Sequence, residues 1–324
     1  MLIVQKFGGS SIADGDRLRR AAGICMRQRQ NGNEVVVVVS AMGDTTDLLA
    51  DRARVLGGKP SPREMDALIT TGEQQSAALL VMTMESLGIP AVSLAGWQAG
   101  IYTDCRYGDS DIRLIAPVRI REALGRGRVP VVTGFQGVCA AGDITSLGRG
   151  GSDTTAVALA AALESDCCEI YTDVDGIYTA DPRLIPDAVK LDAIDYRDML
   201  ALAAAGSQVL HAKSVELAMA NSVVIHLLSS FTDAPGSQVR ALRDGSRPDF
   251  AGITRSRASG EISLAGKAAD AAALSQAVLL LAAEGIEVLS GSVGDGRISV
   301  LVEEAEQPHA MQLLHREMIL DALK

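Results

Sequence analysis

The strongest constraint on the fold is a series of short, β-branched apolar runs that do not alternate with polar residues. In EVVVVVS (34–40), five consecutive valines would place apolar side chains on both faces of a strand. Strands buried on both faces are typical of parallel sheets. The runs are LIV (2–4), EVVVVVS (34–40), IPAVSL (89–94), VPVVTG (129–134), CCEIYT (167–172) and SVVIHLLS (222–229).

Segments with the apolar spacing of helices lie between these runs. They cover approximately residues 14–31, 45–57, 62–87, 109–127, 153–165, 195–205 and 211–221. This alternation implies right-handed βαβ crossovers, so we expect an α/β fold: a three-layer α/β/α sandwich with a mainly parallel central sheet. One exception is GVCAAGDITSLG (137–148), which predicts a hairpin.

The pattern changes near residue 240, where the polar segment RALRDGSRPD (240–249) is typical of a linker. The residues beyond it predict a strand followed by helix 270–284, strands 286–290 and 297–303, and helix 307–323. This order of elements is that of a ferredoxin-like fold, in which two helices pack on one face of a small antiparallel sheet. The predicted domains are therefore 1–239, a linker 240–249, and 250–324.

Charge and composition exclude several classes of protein. Asp and Glu total 40 against 30 Lys and Arg, and a net charge of −10 disfavours nucleic acid or an anionic membrane as partner. The N-terminus lacks the pattern of a signal peptide, and the apolar stretch 272–286 is interrupted by polar residues. The five cysteines form no CxxC pattern. We expect a cytoplasmic protein with reduced cysteines.

Glycine-rich turns follow several predicted strands, at the sheet edge where open α/β folds bind ligands. The first is KFGGSS (6–11), where paired glycines let backbone N–H groups approach an anion and Lys6 could face a phosphoryl group. A tight turn with a solvated lysine is the alternative. The second, SAMGDTTD (40–47), offers hydroxyls and backbone donors suited to a carboxylate or a phosphate.

The third turn, TTGE (70–73), lies in or beside an apolar helix. From Glu73 alone a solvated helix charge is the simpler interpretation, and a buried carboxylate awaiting an ammonium is the other. In the fourth, LGRGGSDTT (147–155), Arg149 offers a fork for a carboxylate, and Asp153 could hold Mg²⁺ or an ammonium. The fifth, YTDVDGIYTADPR (171–183), clusters carboxylates, hydroxyls and an arginine suited to a nucleotide, and it lacks EF-hand spacing.

In order, the motifs resemble those of the aspartokinases in the amino acid kinase superfamily. The matching segments are KFGGSS, SAMGDTTD, TTGEQ, GWQAGIYTD (96–104), TGFQG (133–137), LGRGGSDTTA and YTDVDGIYTADPR. The resemblance runs from residue 2 to about 239 and implies the amino acid kinase fold. It also implies transfer of the γ-phosphoryl group of MgATP to the side-chain carboxylate of L-aspartate, which gives 4-phospho-L-aspartate and ADP.

The same resemblance implies the roles of individual residues. Lys6 would stabilise charge on the phosphoryl group, and Asp153 would organise the charged centre. Arg149 would hold the substrate carboxylate and Glu73 its ammonium. The remaining substrate residues are Ser40, Thr45, Gly150, Gly151 and Ser152. The nucleotide residues are Lys6, Gly8, Gly9, Ser10, Thr172, Asp173, Tyr178, Asp181 and Arg183. ATP and Mg²⁺ are the implied cofactors, and no residue is assigned as a metal ligand.

The sequence departs from the family in its C-terminal part. Residues 251–324 are enough for one ferredoxin-like ACT module rather than the usual pair, and KAADAAALSQ (267–276) lacks the Pro-Gly pair of the effector loop. We therefore expect no lysine or threonine feedback. We also expect a homo-oligomer, because a lone ferredoxin-like module has exposed sheet edges that commonly pair side by side. Gln208 stands where a lysine that contacts ATP is common. Two alternatives to an aspartate kinase stay open. One is a kinase with another amino acid or carboxylate acceptor, and the other is a non-catalytic ligand-binding subunit.

Overall fold

Strands and helices alternate through residues 1–320, which are the residues that the computed structural model describes. The strands are β1 (Leu2–Phe7), β2 (Glu34–Val39), β3 (Ala91–Leu94), β4 (Ile101–Thr103), β5 (Ile112–Ile115), β6 (Val129–Thr133), β7 (Gln136–Cys139), β8 (Ile144–Ser146), β9 (Cys167–Thr172), β10 (Ile177–Tyr178), β11 (Lys190–Leu191), β12 (Ala193–Ile194), β13 (Ile225–Ser229), β14 (Ser237–Val239), β15 (Gly252–Arg255), β16 (Ile262–Ala265), β17 (Val288–Gly294) and β18 (Arg297–Val302). The helices are α1 (Gly15–Gln30), α2 (Thr45–Val55), α3 (Pro62–Ile69), α4 (Thr71–Ser86), α5 (Val118–Gly125), α6 (Gly151–Leu163), α7 (Tyr196–Ala204), α8 (Ala212–Asn221), α9 (Ala271–Ala283) and α10 (Gln307–His315).

The chain forms two compact units. The first comprises Met1–Asp175 and Ala220–Pro235, and the second comprises Gly176–Met219 and the chain from Gly236 onward. Residues 176–219 thus belong to the same unit as the C-terminal segment, although the sequence assigns them to the domain 1–239. The predicted domain boundaries stay a prediction. No helix in the described part of the chain is long and apolar enough to cross a membrane.

The first unit is built on a parallel sheet with the strand order β13-β9-β1-β2-β6-β3. All six strands were predicted from the apolar runs, and all the neighbouring pairs among them are parallel. The fold class predicted from the sequence, α/β with a mainly parallel central sheet, is confirmed.

Burial on both faces explains the valine run of β2. Val35, Val37 and Val39 belong to a core shared with α1 and α4. Val36 and Val38 alternate with them, are also fully buried, and point to the opposite face, where α6 contacts β1, β2 and β9. Helices therefore cover both faces of the sheet, as in a three-layer sandwich.

A smaller sheet of the first unit, with the order β5-β4-β7-β8, includes the predicted hairpin as β7 and β8. The helix predicted over 109–127 was wrong in its first part, which belongs to this sheet. Residues 112–115 form β5, which pairs antiparallel with β4, and the helix α5 begins only at Val118. Pro117 explains the boundary, because a proline disfavours helical geometry in the residue before it.

The helix predicted over 62–87 is interrupted at Thr70. The Thr70 hydroxyl donates to the Asp66 carbonyl oxygen at 2.7 Å, and the Thr70 carbonyl accepts from Gln136 Nε2 at 2.8 Å. A side-chain donor from a distant strand thus replaces a helical backbone donor at this carbonyl, and α4 begins anew at Thr71.

In the second unit, four antiparallel strands follow the order β15-β16-β18-β17. Leu264 and Ile298 of this sheet pack in one core with Leu281 of α9 and Leu314 of α10. This arrangement agrees with the ferredoxin-like order predicted from the sequence, except that the first strand is a pair, β15 and β16. The predicted helix 307–323 is helical as far as residue 320, and residues 321–323 lie outside the described residues.

The cysteines differ from the expectation of five reduced thiols. Cys105 and Cys139 form a disulfide, with Cα atoms 5.3 Å apart, because the parallel pairing of β4 with β7 brings the two strand ends together. Cys168 is fully buried in β9 and is one of the free cysteines. Burial raises the pKa of Cys25 to about 12, so this thiol stays protonated at neutral pH.

We expect thiol titration of the denatured, unreduced protein to find three free thiols, and five after reduction. The bridge closes a loop with a sequence separation of 34 residues. Its reduction should lower the free energy of unfolding by about 2–4 kcal/mol, because the unfolded chain regains conformational entropy. The double variant Cys105→Ser/Cys139→Ser is the control, since a reductant should leave its stability unchanged. Five thiols before reduction would contradict the pairing.

Candidate active site

The turns that follow β1 and β2 touch each other through their backbones. The Gly43 N–H donates to the Gly9 carbonyl at 3.1 Å, and a Cβ placed on Gly9 would lie 2.6 Å from the Ala41 carbonyl oxygen. Real Cβ atoms essentially never come this close to another heavy atom, so only glycine fits at this position. Parallel strands place these turns at one edge of the sheet, as the sequence predicted.

A cavity of about 280 Å³ opens at this edge, entirely within the first unit. Its lining includes nine of the residues predicted from the sequence: Lys6, Gly9, Ser40, Glu73, Arg149, Gly150, Gly151, Ser152 and Asp153. The structure therefore brings together side chains from four separate turns that lie as much as 147 positions apart in the sequence (Lys6 to Asp153, 153 − 6).

Lys6 and Asp153 form an ion pair in this cavity. Lys6 Nζ lies 2.6 Å from Asp153 Oδ1, and both side chains are largely buried. Asp153 is in the first turn of α6, where the positive end of the helix dipole favours a carboxylate. The pair holds the ammonium group in the lining of the cavity, next to Gly8 in the turn that follows β1.

Glu73 is buried, and the interpretation of this residue as a solvated helix charge is wrong. Its side chain is 3% exposed, and Oε1 accepts from the Ala41 N–H at 3.0 Å. Oε2 has no hydrogen-bond partner among the described residues. Burial raises the pKa of Glu73 to about 7, although the hydrogen bonds from backbone N–H groups oppose this shift. An unsatisfied buried carboxylate oxygen is well suited to bind an ammonium group.

Arg149 lies in the turn before α6 and is exposed. Gly148 and Gly150, on either side of it, adopt left-handed backbone angles of φ 71° and 73°, which glycine accepts without strain. Within residues 1–320 the guanidinium has no hydrogen-bond or ion-pair partner. The lining of the cavity thus includes both a carboxylate and a guanidinium, the pair of groups that an α-amino acid requires.

Two threonines at the start of α2 have different positions. The Thr45 hydroxyl donates to the Met42 carbonyl at 2.6 Å, and Thr46 rather than Thr45 lines the cavity. The sequence does not distinguish Thr46 from its neighbour in the same motif, because the rotation of α2 about its axis decides which threonine faces the cavity. A role for Thr45 in substrate binding stays a prediction.

Phe135 also lines the cavity and was missed. It has a left-handed φ of 67°, and its N–H donates to Thr155 Oγ1 at 3.1 Å. Such a conformation in a residue other than glycine often marks a functional site. The available signal was its position inside TGFQG, immediately after a strand.

The residues predicted for the nucleotide are divided between the two units. Gly8, Ser10, Thr172 and Asp173 belong to the first unit, whereas Tyr178, Asp181 and Arg183 belong to the second. In the first unit, the Gly8 N–H donates to the Tyr171 carbonyl at 3.2 Å, so the turn after β1 adjoins the end of β9. In the second unit, Arg183 Nε donates to Asp181 Oδ1 at 2.9 Å and lowers the pKa of that carboxyl. Their role in nucleotide binding stays a prediction.

Comparison with known proteins agrees with this geometry. The model of the amino acid kinase family matches residues 1–229. The chain belongs to the amino acid kinase family. It is 50% identical to the aspartokinase of Mycolicibacterium smegmatis over 269 residues, which are 82% of this chain and 64% of that protein. The chain thus spans somewhat less than two thirds of this curated relative.

Two solved structures extend the comparison. The aspartate kinase of Synechocystis is 31% identical, with a TM-score of 0.68 over 98% of this chain and 69% of that chain. Aspartokinase III of E. coli, in complex with aspartate and ADP, has a TM-score of 0.84 at 22% identity over 98% of this chain and 99% of that chain, which shows a shared fold.

We expect Gly9→Ala to lower the free energy of unfolding by about 1–3 kcal/mol, because its methyl group would collide with backbone that cannot move aside cheaply. Gly23→Ala is the matched control. A Cβ on Gly23, inside α1, meets nothing within 4 Å, so this change should raise stability by about 0.5–1 kcal/mol. Chemical denaturation measures both, and equal effects would show that the two turns do not touch.

Proposed function

We propose that this chain transfers the γ-phosphoryl group of ATP to the side-chain carboxylate of L-aspartate, which yields 4-phospho-L-aspartate and ADP. The main support is the cavity that combines three features: a lysine held by an aspartate, and a buried carboxylate oxygen and a guanidinium that have no partner within residues 1–320. The aspartokinases among its relatives, one of them crystallised with aspartate and ADP, support the same acceptor.

In this proposal the acceptor is held by its α-groups. Glu73 Oε2, which has no hydrogen-bond partner among residues 1–320, receives the α-ammonium. Arg149 holds the α-carboxylate through a bidentate pair of N–H···O hydrogen bonds. Ser40, Thr46 and Ser152 line the same cavity and have hydroxyls that can hydrogen-bond to the acceptor. The side-chain carboxylate is then directed towards Lys6.

Lys6 stabilises the negative charge that spreads over the phosphoryl oxygens during transfer. Asp153 keeps the ammonium in place before the phosphates arrive, since the two groups are 2.6 Å apart. The acceptor carboxylate is already ionised at neutral pH, so the reaction needs no general base to remove a proton. Positioning and charge neutralisation carry the catalysis.

ATP and Mg²⁺ are the proposed cofactors. Lys6, with the backbone of Gly8, Gly9 and Ser10, fits the phosphates, because glycines allow N–H groups to approach an anion. Mg²⁺ commonly binds through phosphates and one or two carboxylates, and it neutralises phosphate charge when bound. Asp153 is the carboxylate that would share it. The described residues contain no cluster of three or more His, Cys, Asp or Glu side chains that could hold a metal by themselves.

Three further proposals concern the setting of the reaction. We propose a homo-oligomer, because residues 289–294 of the edge strand β17 are exposed and leave a sheet edge open to pairing. We propose insensitivity to lysine and threonine, because the segment 267–276, which contains the Asp270 cap of α9, lacks the Pro-Gly pair that the resemblance to aspartokinases implies for an effector loop. The cytoplasm is the proposed location, since ATP is the phosphoryl donor, and the Cys105–Cys139 disulfide is at odds with it.

Coupled measurement of ADP release tests the reaction. With MgATP we expect turnover that depends on L-aspartate and exceeds that with glutamate or N-acylated amino acids. Lys6→Met should lower kcat by about 100- to 1000-fold, because it removes charge stabilisation from the transition state. Lys59→Met, at an exposed lysine between α2 and α3, should leave kcat unchanged. Absence of turnover with every acceptor would refute the proposal, and added millimolar lysine or threonine tests the feedback.

The ionisation of Glu73 predicts the pH dependence of acceptor binding. Burial raises the pKa of this carboxyl to about 7, so the protonated, uncharged form predominates below that pH. Only the ionised form attracts an ammonium. The value of kcat/KM for aspartate should therefore fall as the pH drops from 8 to 6, by about tenfold per unit once the pH is below the pKa.

Glu73→Gln is the matched variant for this pH profile. It keeps the shape but cannot ionise, so KM for aspartate should rise by about 10- to 100-fold and lose its dependence on pH. KM for ATP should be unaffected in both proteins. A wild-type profile that is flat between pH 6 and 8 would show that Glu73 does not contact the acceptor.

A further inference from the structure

The two groups proposed for the acceptor come from separate parts of the chain. Glu73 lies in the first turn of α4, and Arg149 lies in the turn that connects β8 to α6. A single amino acid can bridge them only if the distance between the carboxylate and the guanidinium is fixed. Arg149 also lines a second cavity, of about 640 Å³, so its exposed side chain has room to turn away from the acceptor.

Asp66 connects the two parts. It lies on α3, is 1% exposed, and its carboxylate accepts three hydrogen bonds. Oδ2 accepts from the Ser146 N–H and the Gly108 N–H, both at 2.9 Å, and Oδ1 accepts from Ser146 Oγ at 2.7 Å. Ser146 ends β8 and is three residues before Arg149.

The backbone of Asp66 forms hydrogen bonds to Thr70, the residue that precedes the helix carrying Glu73. Its carbonyl oxygen accepts from both the N–H and the hydroxyl of Thr70, at 3.2 and 2.7 Å, and Thr70 is the residue between the end of α3 and the start of α4. Glu73 is three residues beyond Thr70. Asp66 thus binds the residue before α4 through its main chain. Through its side chain it binds the end of β8, which leads to Arg149.

The loop 104–111 reinforces this connection. Besides the bond from Gly108 to Asp66, the Ser110 N–H donates to the Ser146 carbonyl at 2.9 Å. A Cβ on Gly148 would lie 2.6 Å from Asp109 Oδ1, so the loop also lies against the turn that carries Arg149. The loop and the end of β8 are therefore held together at the Asp66 carboxylate.

We infer that Asp66 is a positioning residue for acceptor binding: it sets the distance between Glu73 and Arg149 and does not itself touch the acceptor. The inference rests on the proposed function. Loss of the carboxylate would release Ser146 and the turn behind it, while Lys6, on β1, would keep its place. The effect should therefore appear in acceptor binding much more than in phosphoryl transfer or ATP binding.

Steady-state kinetics of Asp66→Ala test the inference. We expect KM for aspartate to rise by about tenfold or more, with KM for ATP and kcat within about threefold of the parent. Asp66→Asn should restore KM for aspartate, because the amide oxygen can still accept from both backbone N–H groups and the amide nitrogen can donate to Ser146 Oγ. A role in stability alone would not predict the selective rise in KM for aspartate, and the rescue by Asn shows that the hydrogen bonds rather than the negative charge are needed.

Asp198→Ala is the matched control. Asp198 is equally buried, at 1% exposure, and accepts from Arg247 Nη2 at 2.5 Å in the second unit. Its loss should lower the melting temperature without changing KM for aspartate. If Asp66→Ala does not fold, Ser146→Ala takes its place, since it removes one of the three bonds and should raise KM for aspartate by about two- to fivefold.

The outcomes separate this inference from the proposed function. A parent protein that neither binds an amino acid by calorimetry nor phosphorylates one would overturn both. A parent that phosphorylates aspartate, with Asp66 variants in which the two KM values rise together or in which Asn is as harmful as Ala, would overturn the inference alone. If the parent prefers another amino acid, the same selective rise in KM is expected for that acceptor.

Discussion

The in-register parallel pairing of β1 with β2 is the interaction on which the candidate site depends. It aligns Lys6 with Val38 and Phe7 with Val39, so both strands end at the same level. The turns that follow can then meet through the backbone at Gly9 and Ala41. A shift of one residue would turn every side chain of a strand to the opposite face of the sheet, and helices packed on both faces of β2 favour a single register.

The charged side chains in and near the site differ in how their charges are compensated. Lys6 and Asp153 neutralise each other at 2.6 Å, whereas Glu73 is buried and one of its oxygens has no hydrogen-bond partner in the described part of the chain. Asp66 is buried as deeply, yet three donors satisfy its carboxylate. Buried carboxylates of the same chemical type therefore serve differently: the satisfied one organises the protein, and the unsatisfied one is available to a ligand.

Local patterns predicted most of the fold, and the failures share one cause. The buried strands and the helices α1, α2, α6, α7, α8 and α9 follow from apolar spacing within about ten residues. The break at Thr70 depends on Gln136, and β5 depends on its pairing with β4. Similarly, the disulfide arises because Cys105 and Cys139 lie at the ends of paired strands. Contacts between distant parts of the chain decided each of these features, and a local pattern does not contain them.

The sequence by itself determined the alternation of strands and helices and the order of the glycine-rich turns, because both depend on residue type and short spacing. It also identified Lys6, Arg149 and Asp153 as the charged groups of one sheet edge. Only the tertiary structure decided that Glu73 is buried with a raised pKa and that Thr46 faces the cavity in place of Thr45. The connection through Asp66 was likewise invisible in the sequence. Burial and hydrogen bonding are properties of the packed chain, and the same carboxylate in an exposed helix would have the ordinary pKa of a solvated glutamate.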